Sequence, residues 1–268
     1  IVADMDKKTY SVYKKLGTVL PTMFAVLILT AVVAVAVGAV YVPPGDIVKI
    51  ILSKIGLFPG SSLSQEQESI IFLVRLPRVL VACLAGAALS SCGAVMQGMF
   101  RNPMADPGVL GVSTGAGLGA VLAISFGFSA RSIYILPLFA SVGALAAVSV
   151  IYILSLRKGK ISPLTLILSG IAVSTFIGAF TQIVLIKSNQ YEVRSFIFWT
   201  MGGLNGMMWD QVRLIAAPVI IFITILVLLS RDLNLLLLGE EEAQSVGLDT
   251  SKSRKILLLV SSLATATA

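Results

Sequence analysis

Two arginines three residues apart, Arg75 and Arg78 in the run RLPR, hold the first chemical possibility in this sequence. Guanidiniums one helical turn apart, beside a proline that stiffens the chain, can clamp carboxylates of an external partner, or can do no more than snorkel their charge to a membrane surface. A second constellation is MQGMFRNPMADPGVLG, Met96 to Gly111, where an apolar run is broken by Asn102-Pro103 and then by Asp106-Pro107. Asp106 can cap a new helix with Pro107 at its first position, where the missing N–H costs nothing, and Asn102 with Pro103 repeats that logic. The product is a short, stiff turn, which is either a capping loop and nothing more or the working part of a machine. The third is LNLLLLGEEEAQSVGLD, Leu233 to Asp249. Glu240, Glu241 and Glu242 suit the positive end of a helix and Gly247 suits its C-terminal cap. The segment is too short to span a bilayer, so it is either a solvated loop or a surface helix whose leucines need cover from a protein partner.

Reaction chemistry has no visible apparatus. There is no histidine, no cysteine pair at metal spacing and no combination of serine, base and acid. Cys83 and Cys92 lie on one expected helix about 180° and roughly 13 Å apart, too far for a disulfide, and are read as packing residues. The string KGKIS, Lys158 to Ser162, lacks both the first glycine of a phosphate-binding loop and the hydroxyl residue after Lys160. No catalytic residue, metal or cofactor is assigned to the chain itself. Any ATP that drives it is bound by another subunit.

The elements that must position these groups are membrane spans. Of 268 residues, 57% are hydrophobic and 12% charged, and the mean hydropathy is +0.97, more apolar surface than a soluble core of this length hides. Spans are expected at 19–42, 74–100, 108–126, 133–156, 162–186 and 212–229, with a seventh from about 255 still running at Ala268, so the chain is expected to end inside a span. The first follows Lys7, Lys8, Lys14 and Lys15, but its length exceeds a secretory apolar core, and it is taken as a retained span. With residues 1–18 as a cytoplasmic tail, twelve of the twenty Lys and Arg fall inside, in accord with the positive-inside rule. The net charge of +7 therefore sets orientation in a membrane, and nucleic acid is not an expected partner. Trp199 and Trp209 suit an interfacial aromatic belt, and 187–211 is expected to hold a short helix at the outer surface.

Small residues recur at every fourth position: Ala82, Gly86, Ser90, Ala94 and Gly98, then Gly111, Gly115 and Gly119, then Gly170, Ser174 and Gly178. Such rows let helix backbones approach closely, and Gly86, Ser90, Gly111, Gly115 and Gly119 are assigned to packing. The span centres carry no Asp, Glu, Lys or Arg, the best interior polar groups being Gln97 and Gln182. An ion-coupled transporter usually keeps an ionisable site there, so that reading becomes the alternative.

In the order RLPR, GAALSSCGAVMQGMFRNPMADPGVLGVSTGAG, WTMGGL and LGEEEAQSVGLD, the chain resembles the permease family of ATP-binding cassette importers for iron-siderophores, haem and cobalamin. The resemblance implies an all-α, ten-span helix bundle, here a single permease domain over 1–268 without its last spans, in the cytoplasmic membrane of a prokaryote. It implies a dimer with a second permease copy or paralogue, ATPase subunits that carry ATP and Mg, and an extracytoplasmic binding protein. By the same resemblance Arg75 and Arg78 dock the binding protein. Asn102 with Met104, and Ser162 with Pro163, form cytoplasmic gates, while Leu238, Gly239, Glu240, Ala243, Val246 and Gly247 belong to coupling helices on the ATPase. Met104 stands where the family often has Leu, and Pro163 where it often has a hydroxyl residue. An iron-siderophore is the cargo expected first, ahead of haem, cobalamin and oxyanions.

Overall fold

The computed structural model describes residues 2–38, 42–43, 45–47, 49–50, 65–157, 160–161 and 163–268. Helix α1 (Val2–Ala36) runs through Pro21 and is followed by α2 (Gln65–Ser69), a π-helical turn (Ile70–Arg75) and α3 (Leu76–Phe100), which form one continuous helical run. A 3-10 turn (Pro107–Leu110) leads into α4 (Val112–Ser125), a second (Phe128–Ala130) precedes α5 (Ile135–Ser155), and the strands β1 (Leu156–Arg157) and β2 (Lys160–Ile161) pair antiparallel before α6 (Pro163–Lys187). Then come α7 (Gln190–Met201), α8 (Trp209–Leu228), α9 (Ser230–Leu238), α10 (Glu240–Ser245) and α11 (Thr250–Thr267).

Among the described residues, five helical stretches are long and apolar enough to cross a membrane: Gly17–Ala36, Gln67–Phe100, Ile135–Ser155, Leu164–Lys187 and Trp209–Leu228. They match five of the expected spans; the second begins at Gln67, ahead of the expected 74, and the first, third and seventh also differ from expectation. The first ends at Ala36 instead of Val42, because the chain there meets the guanidinium of Arg75. The third is a 3-10 turn followed by a 14-residue helix, about 21 Å at 1.5 Å per residue and short of the roughly 30 Å of a hydrocarbon core. The seventh begins at Thr250, where the Asp249 carboxylate accepts from the backbone N–H of Lys252, and its first turns carry Lys252, Arg254 and Lys255. The expected short helix within 187–211 is α7, opened by a capping box in which Asn189 and Glu192 bond each other's backbone N–H.

Contacts divide the chain, expected as one domain, into two units: Ile1–Leu80 with Gly206–Trp209, and Val81–Asn205 with Asp210–Ala268. In the first, Val35, Ala36, Val42, Ile47, Ile50 and Ile71 form the core. Its π-helical turn has an identifiable cause. The N–H of Leu76 bonds the carbonyl of Ile71, Pro77 has no N–H to follow it, and the Phe72 carbonyl accepts the Trp209 indole N–H at 2.9 Å instead. Trp209 was expected in an aromatic belt; its ring packs on Phe72 at 5.1 Å.

The core of the second unit is built from Cys92, Val95, Met96 and Met99 of α3 with residues of α4, α5, α6, α8, α9 and α11. Its tightest crossing is α4 on α5. A Cβ on Gly115 would lie 2.5 Å from the Gly143 carbonyl, one on Gly119 would overlap the Phe139 carbonyl, and one on Gly143 that of Gly115. Glycine is needed because backbone meets backbone there. Gly111, at φ +70°, faces Ile151 and Ser174. Within this chain the α3 row is divided. Gly98 is closed over by Leu233, but Gly86 and Ser90 are exposed, because α3 turns Ala88, Cys92 and Met96 inward.

Candidate functional site

Helix α3 ends in a double cap. The N–H of Asn102 bonds the Gln97 carbonyl at 3.2 Å and that of Arg101 bonds Gly98 at 3.3 Å, the two bonds of a Schellman motif, with Arg101 in the left-handed region at φ +49°. The Asn102 side-chain oxygen then accepts from the Met104 N–H at 2.9 Å, and the Ala105 N–H returns to the Asn102 carbonyl at 3.0 Å. Asn102 thus makes a self-bonded turn, and it starts no helix. Asp106 does cap one. Its carboxylate accepts from the Gly108 N–H at 2.6 Å, with Pro107 at the first position of the 3-10 turn. The side-chain oxygens of Asn102 and Asp106 are each spent on a backbone N–H two residues on, which stiffens the stretch, and Met104 stands out 84% exposed. The 3-10 turn packs on α6 and α11.

The Leu233 to Asp249 stretch lies in two helices, where the residue pattern alone suggested one, because Gly239 at φ +149° breaks it. Glu240, Glu241 and Glu242 fill the first turn of α10, and Gly247 at φ +87° completes a Schellman cap in which Leu248 bonds Ala243 at 3.0 Å. Residues outside the pair anchor it. Leu233 sits on Gly98, the Ser253 hydroxyl donates to Asp232 at 2.6 Å, Gln244 donates to Thr250 at 3.1 Å, and the buried Arg254 pairs with Glu240 at 3.0 Å. The expected coupling residues therefore divide. Leu238, Val246 and Gly247 are exposed and free to meet a partner, whereas Gly239 and Ala243 are buried and Glu240 is turned to Arg254.

Arg101 is the group that sequence reasoning passed over. Its Nε and Nη2 both donate to the Leu236 carbonyl, at 3.3 and 2.8 Å, linking the Asn102 turn to the C-terminal part of α9. A basic residue between two helix-ending signals was the available clue, since arginine favours terminal helix carbonyls.

The RLPR arginines have different surroundings. Arg75 is 9% exposed, and its Nη1 donates to the Val35 and Ala36 carbonyls at 2.8 and 3.0 Å, capping α1. A Cβ on Gly38 would come within 2.5 Å of the same guanidinium, so the glycine makes its room. Arg78 is exposed. Of the second expected gate, Ser162 lies outside the described residues, and Pro163 begins α6 with its side chain undescribed.

Residues 26–268 match the FecCD transport family. The chain is 41% identical over 204 residues to a cobalamin import system permease protein of Halobacterium salinarum, covering 76% of itself and 54% of that protein. It is 35% identical over 252 residues to an Fe(3+)-citrate import system permease protein of Bacillus subtilis, covering 94% of itself and 72% of that protein. The chain thus spans little more than half the length of the first relative and under three quarters of the second. Among solved structures, it is similar to a chain assigned to the metal-chelate type of ABC transporter and captured in an inward-facing conformation, with a TM-score of 0.78, 28% identity, and coverage of 94% of this chain and 74% of that one.

Proposed function

This chain belongs to the FecCD transport family, and from that premise we propose that it serves as the membrane-spanning permease subunit of an ATP-binding cassette importer for a metal chelate, leaving ATP hydrolysis to a separate subunit. The observation that carries the reading is the family match over residues 26–268, which takes in the Asn102 turn, α9 and α10 together. The N-terminus lies in the cytoplasm, and a second permease copy or paralogue completes the pathway. Asn102 and Met104 form an inner gate, and Ser162 with Pro163 at the start of α6 form another. An exposed methionine on a stiff turn supports the first, because a large apolar side chain held in the open has contact area to give to a partner surface.

The exposed face of α9 and α10, with Leu238, Val246 and Gly247, is where the ATPase docks, while Glu240 and Ala243 hold the helices in place. Arg78 takes the binding-protein contact, with Arg75 behind it fixing the end of α1. Iron-siderophore is one cargo reading. Cobalamin is the second, favoured by the 41% identity to a cobalamin permease. A pathway lined by uncharged groups binds either chelate weakly and releases it, leaving affinity to the binding protein.

Vesicles holding the importer with its ATPase and binding protein test this. ATP-dependent uptake of a labelled ferric siderophore or of cobalamin, with hydrolysis stimulated by the loaded binding protein, supports the proposal and chooses the cargo. Uptake driven by an ion gradient without ATP overturns it in favour of a secondary transporter.

A further inference from the structure

We infer that Arg101 is a positioning residue that transmits motion of α9 to the Asn102–Met104 turn, an inference that rests on the proposed gate and coupling roles. Two Schellman caps close helices in this region, and they differ at one position. The cap of α10 puts Gly247 in the left-handed site, the residue suited to that backbone. The cap of α3 puts Arg101 there, and among the described residues it is the one non-glycine with a positive φ. A side chain kept where glycine is favoured has a use elsewhere, and here it reaches the Leu236 carbonyl with two N–H donors.

The link has mechanical consequences. Leu233, on the same helix as Leu236, rests on Gly98 so closely that a Cβ there would sit 2.9 Å from its Cδ1. Helix α9 is therefore held to the last turn of α3 by an apolar contact and to the first residue beyond it by a polar one. One residue further on, Asn102 begins the self-bonded turn that carries Met104. A tilt of α9 that carries the Leu236 carbonyl pulls on Arg101, and a stiff turn follows as a unit. The apolar contact alone permits sliding, since Leu233 can shift over a glycine without losing a directional bond. The guanidinium does not permit it, because both donors lose their acceptor together.

The test removes the side chain while keeping the backbone. Arg101→Gly suits φ +49° better than arginine, and Arg101→Asn tolerates it, so each severs the link without disturbing the cap. Each is made in the assembled importer with Met104→Cys as reporter and Cys83→Ser to lower the background. The readout is the rate at which a membrane-impermeant maleimide labels the introduced thiol, with and without ATP, beside the ATP hydrolysis rate. In the parent complex ATP changes the labelling rate roughly fivefold or more, the scale of an ordinary coupling free energy. In Arg101→Gly and Arg101→Asn the change falls below about twofold while hydrolysis and melting temperature hold, and Arg101→Lys, which can still donate to a carbonyl, recovers part of it. A full ATP-dependent change in both variants overturns the inference. A parent complex whose ATPase ignores the loaded binding protein overturns the permease reading itself, which is a different result.

Discussion

Two rows of small residues with the same spacing have opposite surroundings in this molecule. In α4, Gly115 and Gly119 press against the backbone of α5 so closely that no side chain fits, whereas in α3 the positions Gly86 and Ser90 face outward with nothing within 4 Å of a Cβ on Gly86. A period of four states which residues share a helix face. It does not state which face is turned to a neighbour. In α4 the row meets the backbone of α5 directly, and Gly143 on α5 answers it with a small residue of its own. In α3 the inward face is larger and apolar, Cys92, Val95, Met96 and Met99, and the glycine row lies beside it.

The strongest way to break this contrast is Gly119→Leu. The added side chain meets the Phe139 carbonyl, which is backbone and cannot rotate away, so the cost is at the upper end of overpacking, about 3 kcal/mol or more. Unfolding titrations in mild detergent measure it. A stable Gly119→Leu protein means that α4 and α5 are not in backbone contact.

The arginines offer the same lesson in polar form. Arg75→Ala leaves the Val35 and Ala36 carbonyls without the donor that caps α1 and is expected to cost about 1–3 kcal/mol, whereas Arg78→Ala, at an exposed site, shifts stability by no more than about 0.5 kcal/mol. Arg78→Glu is expected to weaken docking of the binding protein at low ionic strength. Equal stability losses at the two positions would sink the division of roles. A smaller effect belongs to Asp106→Ala, which loses the bond from the Gly108 N–H and costs about 1 kcal/mol as an ordinary N-cap does. Unchanged melting would show that Pro107 and the packing on α6 and α11 hold the turn without the carboxylate.

Much of this architecture is legible in the chain because it depends on local rules. Apolar length placed α5, α6 and α8 to within a few residues, Asx-Pro spacing placed the cap at Asp106, and three glutamates ahead of a glycine placed α10. What escaped depends on partners distant in sequence. The π-helical turn arises where Pro77 and Trp209 meet the same carbonyl, and Arg75 is buried because α1 ends beside it. The helix-ending signals beside Arg101 do not name its acceptor, and Arg254 is marked by nothing in its own neighbourhood. Their acceptors, Leu236 and Glu240, lie 135 and 14 residues away. The family resemblance supplied roles for motif positions but could not say which of them face inward, as Glu240 and Ala243 do.

The finest test of the contrast is the substitution expected to do least. Gly86→Leu and Ser90→Leu add apolar bulk to an open face of α3, and within this chain each is expected to change stability by at most about 0.5 kcal/mol, with Gly86→Leu gaining slightly because glycine is a poor helix former. A null result alone establishes only that the face is open in the chain. Repeating both substitutions in the assembled importer gives it meaning, since a row of small residues turned to lipid tolerates leucine, and a row turned to another helix does not. If Ser90→Leu is silent in the isolated chain yet lowers the yield of assembled permease, the row is a packing surface for a helix outside the one described, and the sequence spacing is then right about purpose while wrong about partner. If it is silent in both, Gly86 and Ser90 have no packing role, and Gly98 under Leu233 is the glycine of that row that a neighbour constrains.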